Sequence, residues 1–115
     1  MMILVFQDDG LMRVVDSVSE ANREYEAIDV ENGEYTFLDE HGCVLKPILR
    51  APSKKRWPLF FTIYDTVPFT FEPTEEKRED LIARLRSGEI PLDPRSSKLR
   101  TLDELRREAP QLFSA

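Results

Sequence analysis

The chain has 115 residues, 41% of them apolar and 33% charged, and a formal net charge of −6. That length suits one domain, residues 1–115, whose core needs no covalent staples. A single cysteine, Cys43, excludes an intramolecular disulfide and a cysteine-based zinc site.

The first six residues are apolar but stop at Gln7, Asp8 and Asp9. They are too few for a signal peptide or a membrane span and read as a first strand. A reducing, cytoplasmic setting with no membrane association is expected. Asp9-Gly10 is a type I′ turn dipeptide, so residues 2–7 and 11–16 are expected to form a hairpin.

Ser17 then opens a helix, with Glu20 three residues on completing a reciprocal capping box. Val18, Ala21, Tyr25 and Ile28 recur on one face, which predicts an amphipathic helix ending near Ala27. After the Asn32-Gly33 turn, residues 34–38 and 43–45 alternate about the tight loop 39–42, a second hairpin. Pro47 and Pro52 bracket an extension over 48–50 that fits only an edge or a strand start.

Residues 51–58 read as a loop carrying Lys54, Lys55, Arg56 and Trp57. The most apolar run, 59–64, follows, and 67–71 resumes as a strand that Pro68 confines to an edge or bulge. From Pro73 the pattern turns helical, with Thr74 as N-cap, Leu81, Ile82 and Leu85 as the buried stripe and Gly88 as the stop. Residues 89–100 read as a linker. Thr101 and Glu104 form another capping box before a last helix with Leu102, Leu105, Ala109 and Leu112 on one side, ended by Pro110.

The order is strands, helix, strands, then two helices. It predicts an α+β fold with an antiparallel sheet of four to five strands over 1–72 and a helical part over 73–115.

Charge is the most uneven property. Residues 1–45 carry two bases against eleven acids, net −9, whereas residues 46–100 carry twelve bases against eight acids, net +4. Such asymmetry points to a protein partner of opposite sign. The residues expected to meet it are Glu20, Glu24, Glu26, Asp29, Glu31 and Glu34, on and just beyond the first helix. The leading expectation is therefore a non-enzymatic interaction protein that binds a basic partner.

The alternative is a small enzyme or ligand-binding domain with a pocket between the sheet and the C-terminal helices, its polar groups Tyr35, Tyr64, Asp65 and Arg84. Six aromatics, Trp57, Phe60, Phe61, Tyr64, Phe69 and Phe71, fall within fifteen residues. Alternation would send some outward, so a homodimer through this strand or the last helix is a further expectation.

No phosphate loop, nucleophile elbow or calcium loop occurs, and no cofactor or metal is expected. His41, the sole histidine, lies in a tight turn beside Asp39 and Glu40, where side chains diverge. Cys43 reads as a small core residue and not as a nucleophile. The basic loops, Lys54-Lys55-Arg56-Trp57 and Arg95, Ser96, Ser97, Lys98 and Arg100, could meet phosphates, but the negative net charge argues against nucleic acid. The run from Asp16 to Ala21 and from Glu26 to Asp39 resembles a stretch found in short bacterial proteins with no assigned activity. That resemblance implies a bacterial cytosolic origin and carries no functional residues with it.

Overall fold

The computed structural model describes residues 2–49, 69–96 and 101–113. Five strands, β1 (Ile3–Phe6), β2 (Met12–Val15), β3 (Thr36–Leu38), β4 (Cys43–Leu49) and β5 (Phe69–Lys77), pair in the order β2-β1-β3-β4-β5. Every pairing between them is antiparallel, and the architecture is α+β. Four helices accompany the sheet among the described residues: α1 (Val18–Glu24), α2 (Ala27–Glu31), α3 (Glu79–Arg86) and α4 (Leu102–Glu108). A 3₁₀ turn, Pro110–Phe113, follows α4.

Strand alternation divides the core in two, because successive side chains leave opposite faces of a sheet. Leu4, Phe6, Met12, Val14 and Leu38 point to the face covered by Leu81, Ile82 and Leu85 of α3, Leu105 of α4, Ala109 and Leu112. Ile3, Val5, Val15 and Phe37 point the other way, against Ala21, Tyr25 and Val30 from α1 and its continuation. Both faces of the strands β1 and β2 are therefore buried, which is why their burial is continuous and not alternating. The apolar side of α4 packs on its own sheet. Among the described residues, no helix is long and apolar enough to cross a membrane.

The first hairpin is present but its turn is not type I′. That turn needs positive φ at both central residues, and only Gly10 has it, at 88°. Phe6 pairs with Met12, leaving a five-residue loop closed by Gly10 N donating to the Gln7 carbonyl.

The helix expected over 17–27 is two helices. Ser17 Oγ caps it by accepting from Glu20 N at 3.0 Å, but Glu20 reaches past Ser17 to accept from Asp16 N at 2.8 Å. Tyr25 leaves the helix in an extended conformation, and α2 restarts after Glu26. The break turns Val30 into the core and leaves Ile28, expected on the buried stripe, 46% exposed.

Pro73 and Thr74 belong to a strand. β5 runs through them to Lys77, and Thr74 Oγ1 donates to the Val44 carbonyl at 2.7 Å where an N-cap was expected. Leu45 pairs with Pro73 and Cys43 with Lys77, so β5 bulges by two residues just where Pro73 lacks an N–H. β5 is the outermost of the described strands on its side, and the exposed Glu72, Glu75 and Glu76 discourage further strand pairing. Pro47 is tolerated within β4 because β3 pairs with that strand at Val44 and not beyond.

Residues 91–96, expected as linker, form an ordered strap along β2. Met12 N donates to the Pro91 carbonyl at 2.9 Å, Asp93 N to the Met12 carbonyl at 2.8 Å, and Val14 N to the fully buried Ser96 Oγ at 3.0 Å. The strap satisfies backbone donors that an edge strand would otherwise leave open.

The C-terminal signals are as the sequence predicts. Gly88, at φ 83°, follows α3 and its neighbour Glu89 N donates to the Arg84 carbonyl, closing a Schellman turn. Thr101 and Glu104 make the reciprocal capping box. Thr101→Ala is expected to lower stability by about 1 kcal/mol. Urea titration checks this, and Thr101→Ser should restore most of the loss.

Candidate functional site

One end of the sheet gathers three loops: residues 7–11, the α1–α2 junction and residues 32–35. Tyr25 is brought there by the helix break. Its hydroxyl donates to Gln7 Oε1 at 2.7 Å, and its ring lies 4.7 Å from that of Tyr35. Gln7 Nε2 in turn donates to Asp9 Oδ1 and Asp93 Oδ2, both at 3.2 Å. A cleft of about 170 Å³ opens beside this chain of contacts, bordered by Asp8, Asp9, Tyr25, Tyr35 and two arginines.

Both arginines are already engaged. Arg13, on β2 with its side chain only 10% exposed, donates to Glu24 Oε1 at 2.8 Å and to the Arg95 carbonyl at 3.2 Å. Arg95 forms a two-pronged pair with Asp93, at 2.6 and 3.0 Å. The Asp93 carboxyl is accordingly held well below the usual carboxylate range, chiefly by Arg95 and against its own burial.

Among the described residues, the carboxylates on the other side have no such partners. Asp8 from the β1–β2 loop, Asp29 from α2 and Glu34 from the loop before β3 converge beside Tyr35. Crowding by protein atoms, then the charges of Asp29 and Asp8, raise the Glu34 carboxyl. Burial first, then Asp29, Asp8, Glu34 and Glu26, raise the Tyr35 hydroxyl. Burial raises Tyr25 further, with Arg13 opposing. Among the described residues, no lysine or arginine lies within ion-pair distance of Asp8, Glu26, Asp29 or Glu34.

Comparison with known protein families, curated proteins and solved structures finds no significant match.

The six expected partner-binding acids separate accordingly. Glu26, Asp29 and Glu34 share the surface around Tyr35. Glu20 is buried and bound to Asp16 N, Glu24 is held by Arg13, and Glu31 is exposed on α2 with contacts of its own. Asp8 joins the cluster without having been expected there, because only the folded sheet brings the first loop beside residue 34.

Of the alternative pocket residues, the two that are described, Tyr35 and Arg84, border different hollows. Tyr35 borders the acidic cleft and Arg84 a separate shallow hollow of about 80 Å³ with Leu81 and Ile90. Tyr64 and Asp65 lie outside the described residues, as do the Lys54–Trp57 loop and most of the aromatic run. Phe69 and Phe71 are described and pack on Phe37, with ring centroids 6.4 and 4.8 Å away. Of the second basic loop, Arg95 and Ser96 are described: Arg95 pairs with Asp93, and Ser96 Oγ accepts from Val14 N of β2.

In the second hairpin, Asp39 Oδ1 accepts from His41 N and Cys43 N at 2.8 and 3.0 Å, so its carboxylate shapes the turn. Among the described residues, no group of three or more His, Cys, Asp or Glu side chains is arranged to hold a metal. A cleft of about 300 Å³ lies between the sheet and the C-terminal helices. Its rim is His41, Lys77, Arg86 and Gln111, none of them anticipated as pocket residues. The Asp93-Pro94 dipeptide was the one sequence signal for the strap, since Asp before Pro favours a side-chain-closed turn.

Proposed function

We propose that this chain is a non-enzymatic interaction protein that binds a basic segment of a partner protein through the acidic surface around Tyr35. One observation carries the reading: Asp8, Asp29 and Glu34, from three separate segments, crowd together with no cation paired to them among the described residues, whereas the neighbouring Glu24 and Asp93 are neutralised by arginines. Like charges held close in this way destabilise one another, and a cationic partner relieves that repulsion on binding. Tyr35 adds a half-buried aromatic ring against which a guanidinium or ammonium group can lie.

The test is binding of a short lysine- and arginine-rich peptide, followed by fluorescence anisotropy at low salt. Neutralising the cluster with Asp8→Asn, Asp29→Asn and Glu34→Gln together is expected to weaken binding about tenfold. Neutralising the exposed Glu75, Glu76 and Glu79 to glutamine removes the same charge from the opposite end and should change little. Equal effects from the two triple variants would reduce the interaction to net charge and overturn the reading.

The pH dependence has a definite sign. The bound cation favours ionised Glu34, so binding releases protons from a carboxyl whose free value is raised. Affinity should therefore fall as pH drops through the carboxylate range, beginning at a higher pH than an unperturbed glutamate would dictate. In the Glu34→Gln variant that early decline should disappear.

A further inference from the structure

We propose that Asn32-Gly33, in the turn between α2 and β3, is a self-modifying site at which Asn32 deamidates to aspartate or isoaspartate. The chain holds two asparagines, and the fold treats them in opposite ways. Asn22 is locked within α1: its Nδ2 donates to the Val18 and Phe69 carbonyls at 2.8 and 2.9 Å, and its Oδ1 accepts from Phe69 N at 3.0 Å. Asn32 is exposed at the end of α2, and among the described residues its side chain makes no hydrogen bond. Asparagine is a chemically labile side chain, and a following glycine has no Cβ to shield its backbone nitrogen. Nothing stands within 4 Å of where a Cβ on Gly33 would lie, so the approach is open.

The step is a ring closure followed by hydrolysis. Gly33 N attacks Asn32 Cγ, the Cγ–Nδ2 bond breaks, and the proton that Gly33 N loses passes through water to the departing ammonia. Water then opens the cyclic imide, at Cγ to give aspartate or at the Asn32 main-chain carbonyl to give isoaspartate. Either product carries a carboxylate where the amide was neutral. The native turn restrains the attack. Asn32 sits at φ −77° and ψ 0°, and Gly33 at φ 76°. Gly33 N donates to the Val30 carbonyl at 3.1 Å and Glu34 N to the Asp29 carbonyl at 3.2 Å, a Schellman turn. At ψ 0° the Gly33 nitrogen is turned away from Cβ, and the rotation that closes the ring breaks both bonds. Because α2 is only five residues long, opening its last turn is a local event, and that opening sets the rate. The new carboxylate stands two residues before Glu34, so conversion adds to the charge of the acidic surface; this consequence rests on the function proposed above.

The test is timed incubation of the full chain at mildly alkaline pH, in buffer and in urea, with peptide mapping by mass spectrometry. In buffer, a mass gain of about one dalton is expected in the peptide holding Asn32 and none in that holding Asn22. Conversion in buffer should run at least about fivefold more slowly than in urea. Gly33→Ala should slow the reaction about tenfold in urea, where strain at positive φ no longer acts. No gain at Asn32 in the folded chain, equal rates in buffer and urea, or an undiminished rate for Gly33→Ala would each overturn the proposal. The charge consequence is read separately: Asn32→Asp is expected to bind the lysine- and arginine-rich peptide about twofold more tightly. Unchanged binding by Asn32→Asp, while the Asp8, Asp29 and Glu34 triple variant weakens it, would overturn that consequence. If the triple variant also has no effect, the acidic-surface reading fails and the modification stands.

Discussion

Replacing Phe37 by alanine is expected to lower the unfolding free energy by about 3–5 kcal/mol, the cost of emptying a large core position. Phe37 is 1% exposed at the middle of β3. Its ring centroid lies 6.3 Å from Tyr25, 6.2 Å from Tyr35, 6.4 Å from Phe69 and 4.8 Å from Phe71. Those rings come from the end of α1, the loop before β3 and the edge strand β5, so one side chain joins the first half of the chain to the second. Tilted and edge-on ring pairs add about 0.5–1.5 kcal/mol each to plain burial. Phe37→Leu keeps most of the volume but none of the ring geometry and should cost about 1–2 kcal/mol. Denaturant unfolding at neutral pH measures both. A loss below about 1 kcal/mol for the alanine variant would mean that the cluster does not hold the halves together.

The elements legible in the sequence are those whose determinants lie within a few residues. The second hairpin is closed by Asp39 and Gly42, which also define the turn in the sequence. The α3 stripe and its glycine stop, and the Thr101 capping box, are likewise complete within single turns of helix. What was not legible depends on distant partners. Tyr25 leaves its helix to meet Gln7, 18 residues earlier, and the aromatic rings beyond it. Pro73 reads as the start of a helix until a bulged edge strand offers it a position without a hydrogen bond to donate. The strap at 91–96 has linker composition, yet Ser96 answers Val14 N across 82 residues.

The same distinction governs the candidate site. The sequence gives the excess of acids in the first 45 residues but not which of them are neutralised. Glu24 is paired with Arg13, and Glu20 accepts from a backbone amide. Asp8 is counted among the acids in the sequence, but its place beside Asp29 and Glu34 comes from the sheet order that sets β1 next to β3. Net charge over a segment thus locates a polarity, and the folded pairings decide which few carboxylates express it.

Asp93→Asn is the second substitution expected to have a large effect, about 2 kcal/mol at neutral pH. The Asp93 side chain is 1% exposed and accepts from Arg95 N at 2.9 Å, from the Arg95 guanidinium and from Gln7 Nε2. Asparagine keeps one acceptor for the backbone amide but loses the charge and the second acceptor that face Arg95 and Gln7. Because the folded carboxyl is held below its unfolded value, ionised Asp93 stabilises the fold fully above the unfolded value of about 3.9. The contribution fades as pH falls toward the depressed folded value. The gap between wild type and Asp93→Asn should therefore be constant from about pH 7 to about 5 and narrow below about 4. A gap that stays the same throughout would show that the charge contributes nothing. Hydrogen exchange adds a local readout: Met12 and Val14 amides, which donate to the strap, should exchange faster in the variant at a denaturant-independent rate. If they slow or stay unchanged while global stability falls, the strap holds to β2 without Asp93, and the carboxylate acts only on the loop that joins it to Gln7 and Tyr25.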